Sequence, residues 1–136
     1  MIVVTGGLGF IGRHLVRRFV AEGRGVRILT RGHPRTGSAL VVSVGAEPDL
    51  ATLRAALEGA DTVVHLAARV HVMRETSGDP LEAFRRANVE LTRRIVRAAS
   101  DVGVRRLLFA SSVKAMGEST TSPWTEQSAT RPVDPY

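Results

Sequence analysis

The sequence predicts an α/β fold in which helices cover both faces of a doubly wound sheet of parallel strands. Three observations predict it. Short apolar runs alternate with amphipathic stretches of helical length, which is the pattern of successive βαβ units. The apolar runs are continuous, as expected of strands that are buried on both faces. A glycine-rich turn directly follows the first run and leads into the first helix, as in many sheets of this kind.

The first strand and the first helix are predicted at residues 2–5 and about 10–22. The helix has an apolar stripe at helical spacing, with two further apolar residues beside it. The stripe consists of Ile11, Leu15 and Phe19, and the flanking residues are Val16 and Val20. Gly23 and Gly25 end this helix, so strand 2 is predicted at residues 26–30.

The remaining strands and helices continue the alternation. In chain order they are strand 3 at about residues 40–44, a helix at about 50–58, strand 4 at 62–66, a long helix at about 80–102 and strand 5 at about 106–110. Right-handed crossovers then predict a Rossmann-type sheet with the strand order 3-2-1-4-5. The residues after Ser111 are predicted to be loop-like, because glycine and proline recur there.

The glycine-rich turn is the strongest functional signal in the chain. Gly7, Gly9 and Gly12 fit the G-x-G-x-x-G pattern, and Gly6, Gly9 and Gly12 fit a wider spacing of three. Glycines let the backbone approach a pyrophosphate, and the start of a helix offers N–H donors and a partial positive charge. We therefore expect a dinucleotide at this turn. The alternative is a tight turn without a ligand.

The end of strand 2 bears on which dinucleotide binds. An acidic residue usually follows this strand and holds the ribose hydroxyls of NAD. This chain has Thr30 and Arg31 instead, with Arg35 nearby. A guanidinium suits a 2′-phosphate, which slightly favours NADP over NAD. The alternative is that Arg31 is one more surface arginine in an arginine-rich chain.

Strand 4 is predicted to end in a histidine and small residues, His65, Leu66, Ala67 and Ala68. Small side chains at a strand end leave room for a nucleotide. His65 has apolar neighbours and no second ligand at a useful spacing, so a packed, hydrogen-bonded histidine is favoured over a metal ligand. No metal site is predicted.

Strand 5 is predicted to end at Ser111 and Ser112, which point toward the same edge of the sheet. The sequence has no nucleophile elbow and no histidine and aspartate arranged to activate a serine. Ser112 is therefore interpreted as a hydrogen-bond donor to a carbonyl or hydroxyl group. The alternative is a serine that only caps or ends the strand.

Composition excludes several classes of protein. The chain has no cysteine, which excludes disulfides and thiolate metal sites. No apolar run reaches the roughly 20 residues that span a bilayer, and strand 1 begins at residue 2, so we expect a cytoplasmic protein without a membrane segment. The net charge is +6, but the basic residues are scattered and not interleaved with aromatics. We therefore expect no nucleic-acid partner.

Several short motifs stand in one order along the chain. They are TGGLGFIG at residues 5–12, HLAA at 65–68 with RVHVM after it, NV-x-x-T at 88–92, SSVK at 111–114, GE at 117–118 and PY at 135–136. This set resembles the extended short-chain dehydrogenases/reductases, and within them the NAD-dependent epimerase/dehydratase family. The members most similar are UDP-glucose 4-epimerases and nucleotide-sugar 4-ketoreductases. The resemblance spans essentially the whole chain.

The resemblance implies a role for each matching residue. It implies that Gly6, Gly9 and Gly12 hold the pyrophosphate, that Ala67 and Ala68 line the cofactor and that Asn88 orders the centre of the fold beside the site. With the residues argued from the strand ends, the expected cofactor-binding set is Gly6, Gly9, Phe10, Ile11, Gly12, Thr30, Arg31, Leu66, Ala67, Ala68, Asn88 and Ser111. It also implies that Ser112 donates a hydrogen bond to the reacting sugar oxygen and that Tyr136 is the general acid/base. The implied substrate is a UDP-sugar or another nucleotide-sugar, and a homodimer is the assembly that the family suggests.

Two positions depart from the family pattern. Gly45-Ala46 stands where Gly-Asp is usual after strand 3, which leaves Glu47 and Asp49 as candidates for the adenine contact. Met116 stands where a tyrosine often precedes the glycine of the serine loop.

The resemblance also predicts how much of an enzyme these residues form. The family carries a lysine four residues after its tyrosine, where it lowers the tyrosine pKa, and this sequence ends at Tyr136. We therefore expect residues 1–136 to be an N-terminal, incomplete dinucleotide-binding domain, without later strands or a substrate domain, and inactive by itself. Strands 4 and 5 would then be left partly uncovered. The alternative is a non-catalytic dinucleotide-binding module.

Overall fold

A computed structural model describes residues 1–32, 41–70 and 78–136. Within these residues the sheet has five parallel strands in the order β3-β2-β1-β4-β5. The strands are β1 (Ile2–Thr5), β2 (Val26–Thr30), β3 (Val41–Ser43), β4 (Thr62–His65) and β5 (Arg106–Phe109). The predicted fold class and strand order are confirmed. Leu40, the predicted first residue of strand 3, lies outside the described residues.

Helices connect the strands. They are α1 (Phe10–Ala21), α2 (Leu50–Leu57), α3 (Pro80–Phe84) and α4 (Leu91–Asp101), with a π-helical segment, Arg85–Glu90, between α3 and α4. The long helix predicted at 80–102 is therefore continuous but widened in its middle, where the Leu91 N–H donates to the Arg86 carbonyl five residues back. A short 3-10 turn (Val113–Ala115) interrupts the region predicted to be loop-like.

The sheet is covered on both faces, which explains why its strands are continuously apolar. Val3 of β1 belongs to one core cluster with residues of α2 and α4, including Leu53, Leu57 and Ile95. Its neighbours Ile2 and Val4 point the other way, into a second cluster. The side chains of α1 that pack on this second cluster are Leu15, Val16 and Phe19. Alternate residues of one strand thus serve two cores.

The predicted apolar stripe of α1 is correct in its middle and wrong at its first residue. Ile11 is 65% exposed, because it lies in the first turn, beside glycines that have no side chains to pack on. Val20, predicted beside the stripe, is 48% exposed at its margin. The exposed first turn matters below, because it belongs to the candidate site.

The register of the sheet brings four strand ends to one level. Thr5 pairs with Leu29 on one side and His65 on the other, and His65 pairs with Phe109. Residues that follow these four positions therefore meet along one border of the sheet, which we call the carboxyl edge. In doubly wound folds this is the border at which ligands bind.

Strands 4 and 5, which were predicted to be partly uncovered, differ in their exposure to solvent. All four residues of β4 are buried, because β4 lies between β1 and β5 with the first core cluster beneath it. β5 is the outermost strand on one side of the described sheet, and its Leu108 and Phe109 are about half exposed. The prediction was therefore wrong for β4 and holds for β5.

Several arginines form ion pairs with acidic residues. Asp101 of α4 is paired with Arg54 of α2 (Nη2 to Oδ2, 2.6 Å) and with Arg97 (Nε to Oδ1, 3.1 Å). The hydrogen bond from Arg54, with the charge of both arginines, lowers the pKa of Asp101. This pairing fixes α2 against α4. In the described part of the chain, no helix has the length and apolarity needed to cross a membrane.

Candidate functional site

Two clefts open along the carboxyl edge and meet at one residue. The first lies beyond β2 and β3 and is lined by Thr30, Arg31, Gly45 and Ala46, among others. The second lies beyond β4 and β5 and has a volume of about 80 Å³. Its walls include Ala68, Asn88, Ser111, Ser112 and Tyr136. Ala67 lines both clefts, and we call the two clefts together the track.

The glycine turn lies against this track, and two of its glycines are required by geometry. Gly6 has φ +68°, and a Cβ there would lie 2.8 Å from the Ala67 backbone nitrogen. A Cβ on Gly12 would lie 2.2 Å from the Gly6 carbonyl oxygen. Gly9 is less crowded, since its nearest neighbour would be that same oxygen at 3.2 Å. Gly6 and Gly12 are thus fixed by the fold, and Gly9 leaves space in front of the turn.

The start of α1 is open, in contrast to the starts of α2 and α3. The Thr52 N–H donates to the Asp49 carboxylate at 2.7 Å, and the Glu82 N–H donates to that of Asp79 at 3.0 Å. α1 begins at Gly9 with no side-chain cap and no acidic residue in its first turn. Its first N–H groups, including those of Phe10 and Ile11, can therefore donate to an anion.

His65 is at the centre of a hydrogen-bonded chain of side chains. The imidazole is 1% exposed. Its Nδ1 lies 2.6 Å from Thr5 Oγ1, and its Nε2 lies 2.9 Å from Thr92 Oγ1. The Thr92 hydroxyl lies 2.5 Å from the Asn88 carbonyl oxygen. The prediction that His65 is packed and hydrogen-bonded is confirmed.

The partners determine where the protons of this chain lie. Thr92 has one hydroxyl proton and donates it to the Asn88 carbonyl, so its oxygen accepts from His65 Nε2–H. Burial favours the neutral imidazole by lowering its pKa, so His65 Nδ1 is then the acceptor, and the Thr5 hydroxyl donates to it. Thr5 Oγ1 in turn accepts from the Ala67 N–H at 3.1 Å. One neutral tautomer of His65 thus joins β1, β4 and the long helix.

This arrangement predicts a pH dependence of stability. Burial lowers the pKa of His65 below its ordinary value. The free energy of unfolding should be constant above about pH 7 and fall below about pH 6.5, because there the unfolded chain binds a proton that folded His65 refuses. The slope contributed by one proton is about 1.4 kcal/mol per pH unit, down to the lowered pKa.

Urea unfolding at several pH values tests this dependence, with His65→Gln as the comparison. Glutamine offers one acceptor and one donor but does not titrate, and the other three histidines are present in both proteins. The acid-side slope should be smaller in the variant. Equal slopes in the two proteins would contradict the assignment of a neutral, buried His65.

Asn88 holds the loop after β4 in place. Its Oδ1 accepts from the Arg69 N–H at 2.6 Å, and its Nδ2 donates to the Arg69 carbonyl at 3.0 Å. Asn88 belongs to the π-helical segment, and wide turns of this kind occur frequently at functional sites. The structure brings Asn88 to the second cleft, with its amide bonded to the loop that carries Ala67 and Ala68. Direct cofactor contact by this residue stays a prediction.

Ser112 and Tyr136, the two predicted catalytic residues, line the same cleft. Ser112 Oγ accepts from the Lys114 N–H at 3.2 Å, so this serine caps the 3-10 turn after β5, and its role as a donor to the sugar oxygen stays a prediction. A hydroxyl that accepts a hydrogen bond can still donate one, and the described residues provide no acceptor for this proton. The Tyr136 ring is 38% exposed and lies 6.3 Å from the Phe84 ring, centroid to centroid.

Only some of the residues considered for contact with the adenosine part of the dinucleotide line the first cleft. Thr30 and Arg31 line the first cleft, and Arg35 lies outside the described residues. Asp49 is used as the cap of α2, and neither it nor the exposed Glu47 lines the cleft, so the described site offers no acidic substitute for the missing aspartate. His71, Val72 and Met73 of the resemblance also lie outside the described residues.

Thr5 and Thr92 belong to the sequence motifs, but their bonds to His65 were not predicted. The available signal was position: Thr5 directly precedes the glycine turn, and Thr92 follows Asn88 by one helical turn. Within residues 1–32, 41–70 and 78–136, no group of three histidine, aspartate or glutamate side chains is placed to hold a metal ion.

Comparison with solved structures supports the fold. A short-chain dehydrogenase/reductase superfamily protein from Agrobacterium tumefaciens, with NAD bound, superposes with a TM-score of 0.83 at 34% identity, over 100% of this chain and 40% of that one. MoeE5 in complex with UDP-glucose and NAD gives a TM-score of 0.80 at 34% identity, over 99% of this chain and 44% of that one.

Sequence comparison gives the same result. UDP-glucose 4-epimerase of Vibrio cholerae is 32% identical over 138 residues, which cover 99% of this chain and 42% of the relative. The chain thus spans about two fifths of the length of the curated relatives that it matches. The model of the NAD dependent epimerase/dehydratase family matches residues 2–136. Since that match covers almost every residue, this chain belongs to the NAD-dependent epimerase/dehydratase family.

Proposed function

We propose that this chain is the cofactor-binding part of an NAD(P)-dependent enzyme that acts at C4 of a nucleotide-sugar, as an epimerase, dehydratase or 4-keto-sugar reductase. The observation that carries the proposal is the shared cleft of Ser112 and Tyr136, which meets the glycine-turn track at Ala67. A protein that only binds a dinucleotide needs neither residue. MoeE5, which binds UDP-glucose and NAD, supports the choice of substrate class.

The proposed cofactor lies along the track with its pyrophosphate at the glycine turn. The open N–H groups of α1 and the uncrowded front of Gly9 receive the phosphates. Thr30 and Arg31 of the first cleft would hold the adenosine, and the residues of the second cleft would hold the nicotinamide. NAD is the cofactor bound in the solved structures compared above.

Oxidation of the sugar alcohol removes a hydride and a proton. In the proposed chemistry the cofactor takes the hydride and the protein takes the proton. When bound, nicotinamide accepts or returns a hydride at its carbon 4. In the oxidising direction Tyr136 would act as the base that takes the proton of the sugar 4-hydroxyl, and the C4 carbonyl would form as the hydride passes from C4 to the cofactor. Ser112 donates its free hydroxyl proton in a hydrogen bond to the same sugar oxygen and holds it toward Tyr136.

The second cleft is small for a complete substrate. Its roughly 80 Å³ compares with about 300–1,000 Å³ for pockets that bury a ligand of drug size. We therefore propose that residues 1–136 bind the dinucleotide without turnover, and that activity belongs to the whole protein.

Titration with NADH and turnover with UDP-sugars test this function together. NADH should quench the fluorescence of Trp124, the only tryptophan in the 136-residue chain. The whole protein should convert an added nucleotide-sugar. A reductase would change NAD(P)H absorbance, whereas an epimerase or dehydratase, which returns the hydride to the sugar, would be followed by chromatography of the sugar product. Binding without sugar-dependent turnover in the whole protein would favour a dinucleotide-binding module, and turnover by the 136-residue chain alone would contradict the proposed division.

The proposed preference for NADP depends on Arg31 and has its own test. Arg31→Ala should weaken NADPH binding by about tenfold, because a guanidinium contact with a phosphate is lost, and change NADH binding less than twofold. Arg24→Ala is the matched control. Arg24 is an exposed arginine that precedes β2, so it lies at the amino ends of the strands, opposite the carboxyl edge. Equal or tighter binding of NADH by the unmodified chain would overturn the preference.

A further inference from the structure

The only lysine of this arginine-rich chain holds two carboxylates at once. Lys114 Nζ lies 2.7 and 2.8 Å from the two oxygens of Glu118 and 3.1 Å from Asp134 Oδ2. The other ion pairs in the described part of the chain all use arginine. We call Lys114, Glu118 and Asp134 the ammonium clamp.

A lysine suits this position better than an arginine. Its ammonium is compact and directs three N–H donors outward, so it can bond carboxylates that approach from different sides. A guanidinium is a planar fork that prefers one carboxylate held by two parallel bonds. The use of lysine here therefore fits the simultaneous contact with Glu118 and Asp134.

The ammonium clamp joins the segments that carry the two proposed catalytic residues. Lys114 lies in the 3-10 turn that begins after Ser112, and its N–H donates to the Ser112 hydroxyl oxygen. Asp134 stands two residues before Tyr136. The Arg131 N–H donates to the Ala115 carbonyl at 3.0 Å, so a backbone bond lies beside the clamp.

The segment that leads to Tyr136 depends on such contacts. Residues 117–136 contain no helix or strand. An irregular segment opens locally at smaller free-energy cost than a helix or strand in the core, so each contact that docks it changes the fraction of time it is in place. Glu118 is local to Lys114, whereas Asp134 reaches it from the far end of this segment.

We propose that Lys114 is a positioning residue that, through Asp134, docks the Tyr136 segment on the Ser112 turn and so sets the geometry of the catalytic pair. The catalytic part of this inference rests on the proposed function. Lys114 itself is not the proton donor or acceptor. Its ammonium is bonded to two carboxylates, whose hydrogen bonds raise its pKa and keep it charged.

A disulfide test measures the docking without using enzyme activity. The chain has no native cysteine, so Ser112→Cys and Tyr136→Cys introduce the only two thiols. Their equilibrium with oxidised glutathione gives an effective concentration of one thiol at the other. Lys114→Met, which keeps a long apolar stem, should lower this value about fivefold, the upper range for an exposed ion pair.

The two arms of the clamp are separated by matched variants. Asp134→Asn should reproduce the effect of Lys114→Met, because it removes the arm that reaches the Tyr136 segment. Glu118→Gln should have less than half of that effect, and Arg18→Met, which breaks an exposed pair on α1, should have none. An effective concentration within 1.5-fold of the unmodified value in both Lys114→Met and Asp134→Asn would overturn the proposal.

Kinetics of the whole protein, with Ser112 and Tyr136 intact, test the catalytic consequence. Lys114→Met should lower kcat about fivefold and leave the KM for the sugar and the affinity for NADH within twofold. If the effective concentration falls while kcat is unchanged, the clamp does not position the catalytic pair. Absence of turnover in the unmodified protein would count against the proposed function, while the disulfide result would still decide the docking.

Discussion

Tyr136→Phe in the whole protein is expected to lower turnover by about 10²- to 10⁴-fold, the range that one general acid/base group contributes. Phenylalanine keeps the ring and its contact with Phe84, and removes only the hydroxyl that exchanges the proton. NADH affinity and the far-UV circular dichroism spectrum should therefore be unchanged. The measurement is steady-state formation of NAD(P)H or epimerised sugar.

Ser112→Ala is the companion of this experiment, with an expected loss of about 10²-fold, because one hydrogen bond to the reacting oxygen disappears. Ser122→Ala is its control, since Ser122 is an exposed hydroxyl in a turn and has no part in the cleft. If Tyr136→Phe kept a tenth or more of the activity, the acid/base role would belong to another group.

Gly12→Ala is expected to destabilise the fold by about 3 kcal/mol or more, the upper range for forcing atoms into a packed site. The new Cβ would meet the Gly6 carbonyl oxygen and the Gly7 Cα, which are backbone atoms and cannot turn away as a flexible side chain can. Urea unfolding followed by circular dichroism measures the loss. A change below about 1 kcal/mol would contradict the packing described for the turn.

Gly9→Ala should separate cofactor binding from stability at the same turn. Its Cβ would lie 3.2 Å from one carbonyl oxygen, so we expect a stability loss of about 1 kcal/mol or less, and a tenfold weaker NADH affinity because the methyl group occupies the approach of the phosphates. Gly25→Ala is the neutral control, since a Cβ there meets no atom within 4 Å.

The sheet was predictable from the sequence because the residues that specify each strand and its ends are neighbours along the chain. Each strand is a short apolar run, and the turn residues between runs mark its ends. Once five such runs alternate with helices, right-handed crossovers leave few possible strand orders. The place of Ser112 and Tyr136 in one cleft was predictable only through the family resemblance, because the last twenty residues have no periodic pattern to read.

The features that sequence analysis missed depend on contacts between distant residues. The widened turn around Asn88 contains no glycine or proline, so no helix-breaking residue in the sequence marks it. Lys114 entered the sequence analysis only as the last residue of the SSVK motif at 111–114. Its partner Asp134 lies at the far end of an irregular segment, where no spacing rule connects the two.

The hydrogen-bonded chain of Thr5, His65 and Thr92 limits which chimaeras of this protein and its relatives can fold. At each bond of this chain one side chain must donate and its neighbour must accept. The three residues belong to β1, β4 and α4. A chimaera whose crossover falls between residues 5 and 65, or between 65 and 92, joins halves from different parents at these bonds. Such hybrids should fold well only when both parents supply the same donor and acceptor at the joint, whatever their overall identity.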